Sequence, residues 1–231
     1  MAERVKPKRR YNSPHRQEQA AATRSAIVEA ARRLFERQGY AATTMEAIAS
    51  EAGVALKTVY VVFATKSGVL RALWDLLLKG DEKEAAVAER PWYREVIEEP
   101  DPEGQLRLNA RNARVVKMRI APVLEVIRNA APVDADIAAL WSLIQSDFYD
   151  NQRVIVEALH RKKALRLGLG VTRAADILWM LNHPDLWLLL VGARGWTPEQ
   201  FERWFADTAC TQLLRERTLP SGGIGVRPTG H

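Results

Sequence analysis

The feature that most constrains the fold of this chain is a stretch in which two short apolar patterns flank a single glycine. Before the glycine, Ile48 and Ala52 share one helical face, with the small residue Ala49 beside them. Gly53 accepts the positive φ that a tight turn requires. The apolar positions after the turn are Val54, Val59 and Val62. The stretch therefore predicts two short helices packed across a tight turn, an arrangement called a helix-turn-helix.

Helical periodicity continues on both sides of this motif. Residues 18–38 carry small and apolar side chains at helical spacing, and Gly39 predicts the end of that helix. Thr43 and Glu46 have the spacing of a capping box, which predicts the start of the next helix. Further helices are predicted over residues 67–89, 103–119, 121–130, 134–164, 172–182 and 198–217. No segment alternates polar and apolar residues as a strand does, so an all-α fold of about nine helices is predicted.

Two segments lack a core-forming pattern. Residues 91–104 combine three prolines and a glycine with several acidic residues, which predicts a mobile loop. Residues 219–231 are rich in glycine and proline, which predicts a disordered tail.

The net charge of +6 is concentrated near the N-terminus. Residues 1–70 contain 12 Lys and Arg against 6 acidic residues, and the rest of the chain contains 22 of each. A basic segment joined to a neutral body is typical of a polyanion-binding module beside a module with another task. Residues 1–17 are predicted to be a basic flexible arm. Contact with DNA and a purely solubilising role are equally compatible with its composition.

The motif and its flanks resemble the tetracycline-repressor (TetR) family. The matching residues are Gly39, Tyr40, Thr43, Thr44, Ile48, Ala49, Ala52, Gly53, Val54, Thr58, Val59, Tyr60, Phe63 and Lys66. The resemblance covers about residues 20–72, and residues 195–199 look like the dimerisation end of some members. It implies an N-terminal helix-turn-helix DNA-binding domain at residues 18–66. It also implies an all-helical ligand-binding and dimerisation domain at residues 67–218, within a two-fold dimer.

The resemblance also implies which residues bind DNA. On the groove-facing side of the recognition helix it places Ala55, Leu56, Lys57 and Val61. At positions that touch phosphates or anchor this helix it places Thr44, Thr58, Tyr60 and Lys66. Hydroxyl, phenol and ammonium groups are common phosphate donors, although Lys57 and Lys66 are also compatible with ordinary surface lysines. The chain departs from the family pattern at Val62, where a phosphate-binding side chain is frequent, and at Lys57, where glycine is frequent.

A candidate effector pocket follows from polar and aromatic residues on two predicted helices. Asn109 and Asn112 share a face of one helix, while Trp141, Gln145 and Phe148 share a face of another. Amides beside aromatic rings can orient an apolar ligand in a buried pocket. The alternative is that the rings pack in the core and the amides lie in solvent.

The sequence gives little support to an enzyme. The four histidines are scattered, without the paired spacing of a zinc site, so no metal and no cofactor are expected. Gly168 and Gly170 lack the third glycine of a nucleotide-binding loop, and Cys210 has no activating basic neighbour. A nucleoid-coating or RNA-binding protein would use the same charge, but it would not need a neutral, tryptophan-rich domain.

Location is predicted from what the sequence lacks. Cys210 is the single cysteine, which suits a reducing compartment. No apolar run is long enough to cross a bilayer, and the N-terminus lacks the apolar segment of a secretory signal. The chain is therefore expected in the bacterial cytoplasm, associated with the nucleoid and not with a membrane.

Together these features predict a sequence-specific transcriptional regulator. The resemblance implies a repressor, and we expect it to be released from a palindromic double-stranded DNA operator by an unidentified small apolar or aromatic effector. The alternative is a DNA-binding dimer without an effector. Helices at residues 172–192 and 198–217 are predicted to form the homodimer interface, because their apolar faces exceed what one helix pair can bury.

Overall fold

The computed structural model describes residues 14–79 and 90–215. Within these ranges the secondary structure is helical, and β pairing is limited to one isolated bridge between Leu165 and Leu214. The helices are α1 (Pro14–Ala42), α2 (Met45–Ala52), α3 (Leu56–Phe63), α4 (Lys66–Lys79), α5 (Pro91–Glu98), α6 (Pro102–Ala130), α7 (Ala135–Arg161), α8 (Val171–Leu181), α9 (Pro184–Trp187) and α10 (Pro198–Leu213). A π-helical segment, Leu188–Ala193, follows α9 directly. The expectation of an all-helical fold is confirmed.

The chain forms two compact units. The first contains residues 14–79 and 118–145, and the second contains residues 90–117 and 146–215. The long helices α6 and α7 each contribute to both units. The core of the first unit includes Ile27, Phe35, Ile48, Leu70, Leu73, Ile120, Leu124, Ile127 and Ile137. The core of the second includes Leu106, Val156, Leu159, Leu178, Phe201 and Phe205.

The start of α2 differs from the predicted capping box by one residue. Thr44, not Thr43, is the N-cap, and its hydroxyl oxygen accepts a hydrogen bond of 3.1 Å from the amide of Ala47. Thr43 is fully buried, and its hydroxyl donates to the carbonyl of Gly39 at 2.8 Å. Either threonine can cap a helix, and the burial of Thr43 leaves the capping position to Thr44. The prediction that Thr43 caps this helix is therefore wrong.

The prediction of two helices at residues 103–119 and 121–130 is also wrong, because α6 runs through Pro122 without ending. A proline inside a helix removes one backbone hydrogen bond and costs about 3 kcal/mol. Buried apolar side chains continue on both sides of it, at Ile120, Val123, Leu124 and Ile127. Burial of each such side chain contributes about 1.5–3 kcal/mol, which is enough to offset the cost of the proline.

Several helix boundaries differ from those predicted. The segment predicted to be a mobile loop contains α5, which begins at Pro91, and the start of α6 at Pro102. Proline is well tolerated at a first helical turn because its missing N–H has no helical partner there. The final helix ends at Leu213, not Arg217. Residues 1–13 of the predicted arm, residues 80–89 of the predicted fourth helix, and the tail at residues 219–231 lie outside the described residues.

The apolar faces of the C-terminal helices are mostly buried within a single chain. Leu178, Leu181, Trp187, Phe201, Phe205 and Leu213 are each at most 5% exposed. The reason given for a dimer interface here, an excess of apolar surface, is therefore wrong for these residues. Of the large apolar residues on these segments, Met180 and Leu189 are 47% and 56% exposed. No helix in the described part of the chain is both long enough and apolar enough to cross a membrane.

Candidate nucleic-acid interface

Helices α2 and α3 are held together by a small apolar core and a tight turn. Ile48 and Val59 are fully buried, one from each helix. Gly53 ends α2 with a φ of 67°, a conformation that glycine adopts without strain. The amide of Val54 then donates to the carbonyl of Ala49 at 3.0 Å. These contacts fix the direction in which α3 leaves the turn.

One face of α3 is exposed. Lys57, Tyr60 and Val61 lie at helical spacing on this face, and Tyr60 and Val61 are 46% and 77% exposed. Val59 and Phe63 are buried on the other side. An exposed valine in a short helix is not explained by packing within this chain. The exposed side chains provide an ammonium group, a phenol and an apolar branch, which are suited to phosphate oxygens, base acceptors and thymine methyl groups.

The remaining predicted DNA-binding residues surround this face. Ala55 is exposed at the N-cap of α3, and Leu56 and Thr58 are half-buried in its first turn. Thr44 is exposed at the start of α2. Its oxygen accepts the capping hydrogen bond, and its hydroxyl hydrogen can still donate to another acceptor. The first backbone amides of a helix have no partner within that helix, which makes both helix starts suited to phosphate binding.

Lys66 is engaged inside the first unit. Its Nζ donates to the carbonyl oxygens of Tyr40 and Thr43, at 2.8 and 2.9 Å, and lies 4.1 Å from the centre of the Tyr40 ring. Burial lowers the pKa of Lys66, and the nearby charge of Asp134 partly opposes this effect. These bonds join the carbonyl groups at and just after the end of α1 to the first residue of α4. One N–H of the ammonium group is left for a phosphate, so its contact with DNA stays a prediction.

Two further basic residues support the helix-turn-helix, and sequence patterns did not single them out. The guanidinium of Arg24 lies 4.5 Å from the centre of the Phe63 ring, at the end of α3. Arg33 forms an ion pair of 2.9 Å with Glu51, which joins α1 to α2. Both contacts join residues on different helices that are far apart in sequence, so a pattern of local spacing does not indicate them.

Two carboxylates at the start of α7 bind the ends of α1 and α4. The Tyr40 hydroxyl donates to Oδ2 of Asp134 at 2.6 Å, and the Ser67 hydroxyl donates to Oδ2 of Asp136 at 2.9 Å. Burial, followed by the hydrogen bond to Asp134, raises the pKa of Tyr40, while the same bond lowers the pKa of Asp134. Asp134 and Asp136 therefore belong to the support of the DNA-binding helices, a role that sequence reasoning missed.

The predicted effector-pocket residues are divided between the two units. Trp141 and Gln145 belong to the first unit, and both are half-buried. Oε1 of Gln145 is buried without a hydrogen-bond partner in the described residues. Asn109, Asn112 and Phe148 belong to the second unit. Asn112 donates to the carbonyl of Trp92 at 2.9 Å, and buried Asn109 donates to Oε1 of Gln152 at 3.4 Å. The role of these five residues in an effector pocket stays a prediction.

The second unit contains buried polar groups that sequence analysis did not identify. Lys117 is 2% exposed, and its ammonium group donates to Oδ1 of Asn182 and lies 5.7 Å from the centre of the Phe201 ring. Burial lowers the pKa of Lys117 to about 7. The rings of Trp179 and His183 are in edge-to-face contact, with their centres 4.9 Å apart. Nε1 of Trp179 is buried and has no hydrogen-bond partner in the described residues. Among the residues described, no cluster of His, Cys, Asp or Glu could hold a metal ion.

An all-helical chain with an exposed basic and aromatic recognition helix defines a helix-turn-helix transcriptional regulator. Residues 27–73 match the family model described as bacterial regulatory proteins, tetR family. The chain is 32% identical over 183 residues to the probable HTH-type transcriptional regulator ArpR of Pseudomonas putida, covering 75% of this chain and 83% of ArpR. This chain belongs to the TetR family of transcriptional regulators, which are not enzymes.

A second relative supports this assignment, and a solved structure shares the fold. The HTH-type transcriptional regulator TtgR, also of Pseudomonas putida, is 31% identical over 183 residues, with 75% of this chain and 83% of TtgR covered. The structure of a SmeT–triclosan complex has the same fold, with a TM-score of 0.64 at 19% identity over 91% of this chain and 100% of that chain. Another SmeT structure is described as the repressor of the Stenotrophomonas maltophilia multidrug efflux pump SmeDEF.

Proposed function

We propose that the chain is a repressor that binds a palindromic DNA operator as a homodimer and leaves it when a small apolar or aromatic effector binds. The observation that carries the DNA-binding part is the exposed face of α3. Lys57, Tyr60 and Val61 project from a helix whose opposite side is fixed by buried Val59 and Phe63. Rigid support of this kind is what base recognition in a major groove requires.

The charge distribution supports a DNA partner. The excess of basic residues lies in the first third of the sequence, the part that also contains α3. A basic segment of this kind is attracted to phosphates. DNA binding of this type weakens as salt rises, because each phosphate contact releases bound counterions.

The palindromic operator follows from a two-fold dimer. Two identical recognition helices related by a two-fold axis read two inverted half-sites. Exposed Met180 and Leu189, on α8 and in the π-helical segment, are apolar surface available to a second copy. The other apolar residues of the predicted interface helices that are buried within one chain contribute to folding.

Release by an effector is supported by the second unit and by one neighbour in fold. Buried Asn109 donates a long hydrogen bond of 3.4 Å, and the buried Nε1–H of Trp179 has no partner in the described residues, so this unit contains a polar group that a ligand would satisfy. SmeT, which shares the fold, has been obtained as a complex with triclosan. A small, mostly apolar aromatic molecule is therefore the effector class to test first.

Selection of DNA fragments from a random pool by the purified full chain tests the DNA-binding proposal. Recovery of one inverted-repeat sequence is expected, and Lys57→Ala should lose affinity for it, while Lys163→Ala, at an exposed lysine outside the motif, should not. Recovery of fragments without any shared sequence would instead indicate a non-specific nucleic-acid-binding protein.

The effector proposal is tested separately on the selected operator. Triclosan and a series of hydrophobic aromatic compounds are titrated while tryptophan fluorescence and operator occupancy are measured together. Binding accompanied by operator release supports the proposal. If no compound in the series releases the operator, the alternative of a DNA-binding dimer without an effector is favoured.

A further inference from the structure

A cavity of about 400 Å³ lies within the first unit, between the C-terminal turns of α1 and the last turns of α6. Pockets of about 300–1,000 Å³ are the size that holds small organic ligands. The wall from α1 and the residues after Gly39 consists of Phe35, Glu36, Gln38, Gly39, Tyr40 and Ala41. The wall from α6 consists of Pro122, Glu125, Val126, Asn129 and Ala130, and Val133 also lines the cavity.

The α6 wall is one continuous helical face. Pro122 is three and four residues before Glu125 and Val126, which are four and three residues before Asn129, so their side chains form a single stripe. The stripe is partly apolar and partly polar: Val126 is 9% exposed, while Glu125 and Asn129 are exposed. The α1 wall on the other side includes Phe35 and Tyr40, whose rings are stacked with their centres 5.8 Å apart. A ring-bearing molecule would find apolar contacts here, with polar groups at the rim.

The rim carries negative charge. The acidic residues that line the cavity are Glu36 and Glu125, and its described lining contains no Lys or Arg. Glu36 is already paired with Arg32 at 2.9 Å. Glu125 has no ion pair with any residue in the described ranges. The ammonium group of Lys66, which lies 4.1 Å from the centre of the Tyr40 ring, donates to two carbonyl groups and lies near the opposite charge of Asp134. Glu125 is therefore the carboxylate available to a ligand.

We propose that this cavity is a second small-molecule site, separate from the effector pocket, and that it binds a monovalent organic cation with an aromatic body. The ammonium group of the ligand pairs with Glu125, and its ring packs against Val126 and the α1 wall. A charge-assisted contact of this kind is stronger than a neutral hydrogen bond and selects cations over anions of the same shape.

A ligand in this cavity contacts the residues that anchor α1. Gly39, with a φ of 75°, and Tyr40 line the cavity, and Tyr40 is also the donor to Asp134. The bound cation therefore touches the end of the helix that carries Arg24 and Arg33 beneath the DNA-binding helices.

Isothermal titration of the full chain with benzyltriethylammonium tests the proposal, with benzyl alcohol and benzenesulfonate as neutral and anionic counterparts. The cation should bind at least tenfold more tightly than either counterpart. Glu125→Gln should weaken cation binding at least tenfold, whereas Glu95→Gln, at an exposed carboxylate outside the cavity, should leave it unchanged.

Filling the cavity gives an independent check. Asn129→Trp, at an exposed position of the α6 wall, should abolish cation binding, and Ala41→Trp on the opposite wall replaces it if Asn129→Trp fails to fold. The proposal is overturned if the cation produces no binding heat, if the neutral or anionic counterpart binds equally well, or if binding survives unchanged in Glu125→Gln and in a folded tryptophan variant.

Discussion

The hydroxyl of Tyr40 donates a hydrogen bond of 2.6 Å to Oδ2 of Asp134, which lies 94 residues further along the chain. Tyr40 follows the glycine that ends the regular part of α1, and Asp134 immediately precedes α7. A second bond, from Ser67 to Asp136, joins α4 to the same segment. The orientation of the DNA-binding helices therefore depends on a segment far from them in sequence.

Removal of the Tyr40 hydroxyl should destabilise the protein. In Tyr40→Phe the carboxylate of Asp134 loses a charge-assisted bond, which lowers the free energy of unfolding by about 1–3 kcal/mol. Urea denaturation of the parent and the variant measures this difference. Tyr60→Phe is the matched control, since Tyr60 is exposed on α3, and its stability should match that of the parent. Equal stability of both variants would mean that the Tyr40 bond contributes nothing to folding.

The two tyrosine variants should rank in the opposite order when DNA binding is measured instead of stability, with the larger loss of operator affinity in Tyr60→Phe. Tyr60→Phe should weaken binding to the selected operator, because an exposed phenol on the recognition helix is lost. The expected loss is about tenfold, the equivalent of about 1.4 kcal/mol. Electrophoretic mobility shift at two salt concentrations provides the measurement. Unchanged affinity at both salt concentrations would remove Tyr60 from the interface.

Lys66 and Lys57 should separate structural from DNA-binding roles. Lys66→Met leaves the carbonyls of Tyr40 and Thr43 without their donor, so the free energy of unfolding should fall by about 1–3 kcal/mol. Lys57→Met, at an exposed position, should change stability by less than about 0.5 kcal/mol. Thermal and urea unfolding both report the difference, and equal stabilities of the two variants would contradict the assigned role of Lys66.

Lys117 should make stability depend on pH. Its pKa is about 7 in the folded protein and 10.5 is its ordinary value, so between these two values the unfolded chain carries a proton that the folded chain lacks. Unfolding then takes up a proton, and the free energy of unfolding rises as pH rises from 7 towards 10.5. In Lys117→Met this contribution disappears, and the rise between about pH 7 and 9 should be smaller by about 2 kcal/mol.

The control for Lys117 is Lys163→Met, at an exposed lysine of the same unit. Its unfolding free energy should follow the pH dependence of the parent. If Lys117→Met also follows the parent curve, Lys117 is not the group that gains or loses the proton.

Gly53 should be required for its backbone conformation alone. A Cβ at this position would meet no atom within 4 Å, yet its φ is 67°. Gly53→Ala should therefore cost about 1 kcal/mol from backbone strain without any steric clash. Gly192→Ala, where the space is equally open and φ is not positive, should be neutral or stabilising. Calorimetric melting of both variants distinguishes them, and equal melting temperatures would exclude strain at Gly53.

Sequence patterns predict the helix-turn-helix because its determinants are local. Gly53 makes the turn, and Ile48 and Val59 bury their side chains within one short stretch. The same reasoning places the N-cap of α2 one residue early, because Thr43 and Thr44 have the same chemistry and differ only in burial. From the sequence alone, Pro122 indicates a break in the helix. In the structure α6 stays intact because the residues around Pro122 are buried, and this packing is a tertiary property that local sequence does not show.

The parts of the site that sequence reasoning missed are contacts between distant residues. Asp134 is recognisable only as a residue at a helix start, and nothing near it indicates Tyr40 as its partner. Lys117 looks like one of many basic residues until its burial against Asn182 and Phe201 is known. The apolar faces of α8 and α10 suggest a dimer interface because a sequence does not distinguish burial within a chain from burial between chains.

The participation of α6 and α7 in the first unit limits how the DNA-binding domain can be exchanged between relatives. A hybrid regulator joined after residue 66 would combine the Tyr40 position of one protein with the Asp134 position of another, while Ser67 and Asp136 would come from the same protein. Such a hybrid keeps its recognition helix but loses the matched partners that orient it. We therefore expect DNA specificity to be transferred from this chain more completely when residue 134 is exchanged together with the N-terminal segment, although a long stretch of intervening sequence separates them.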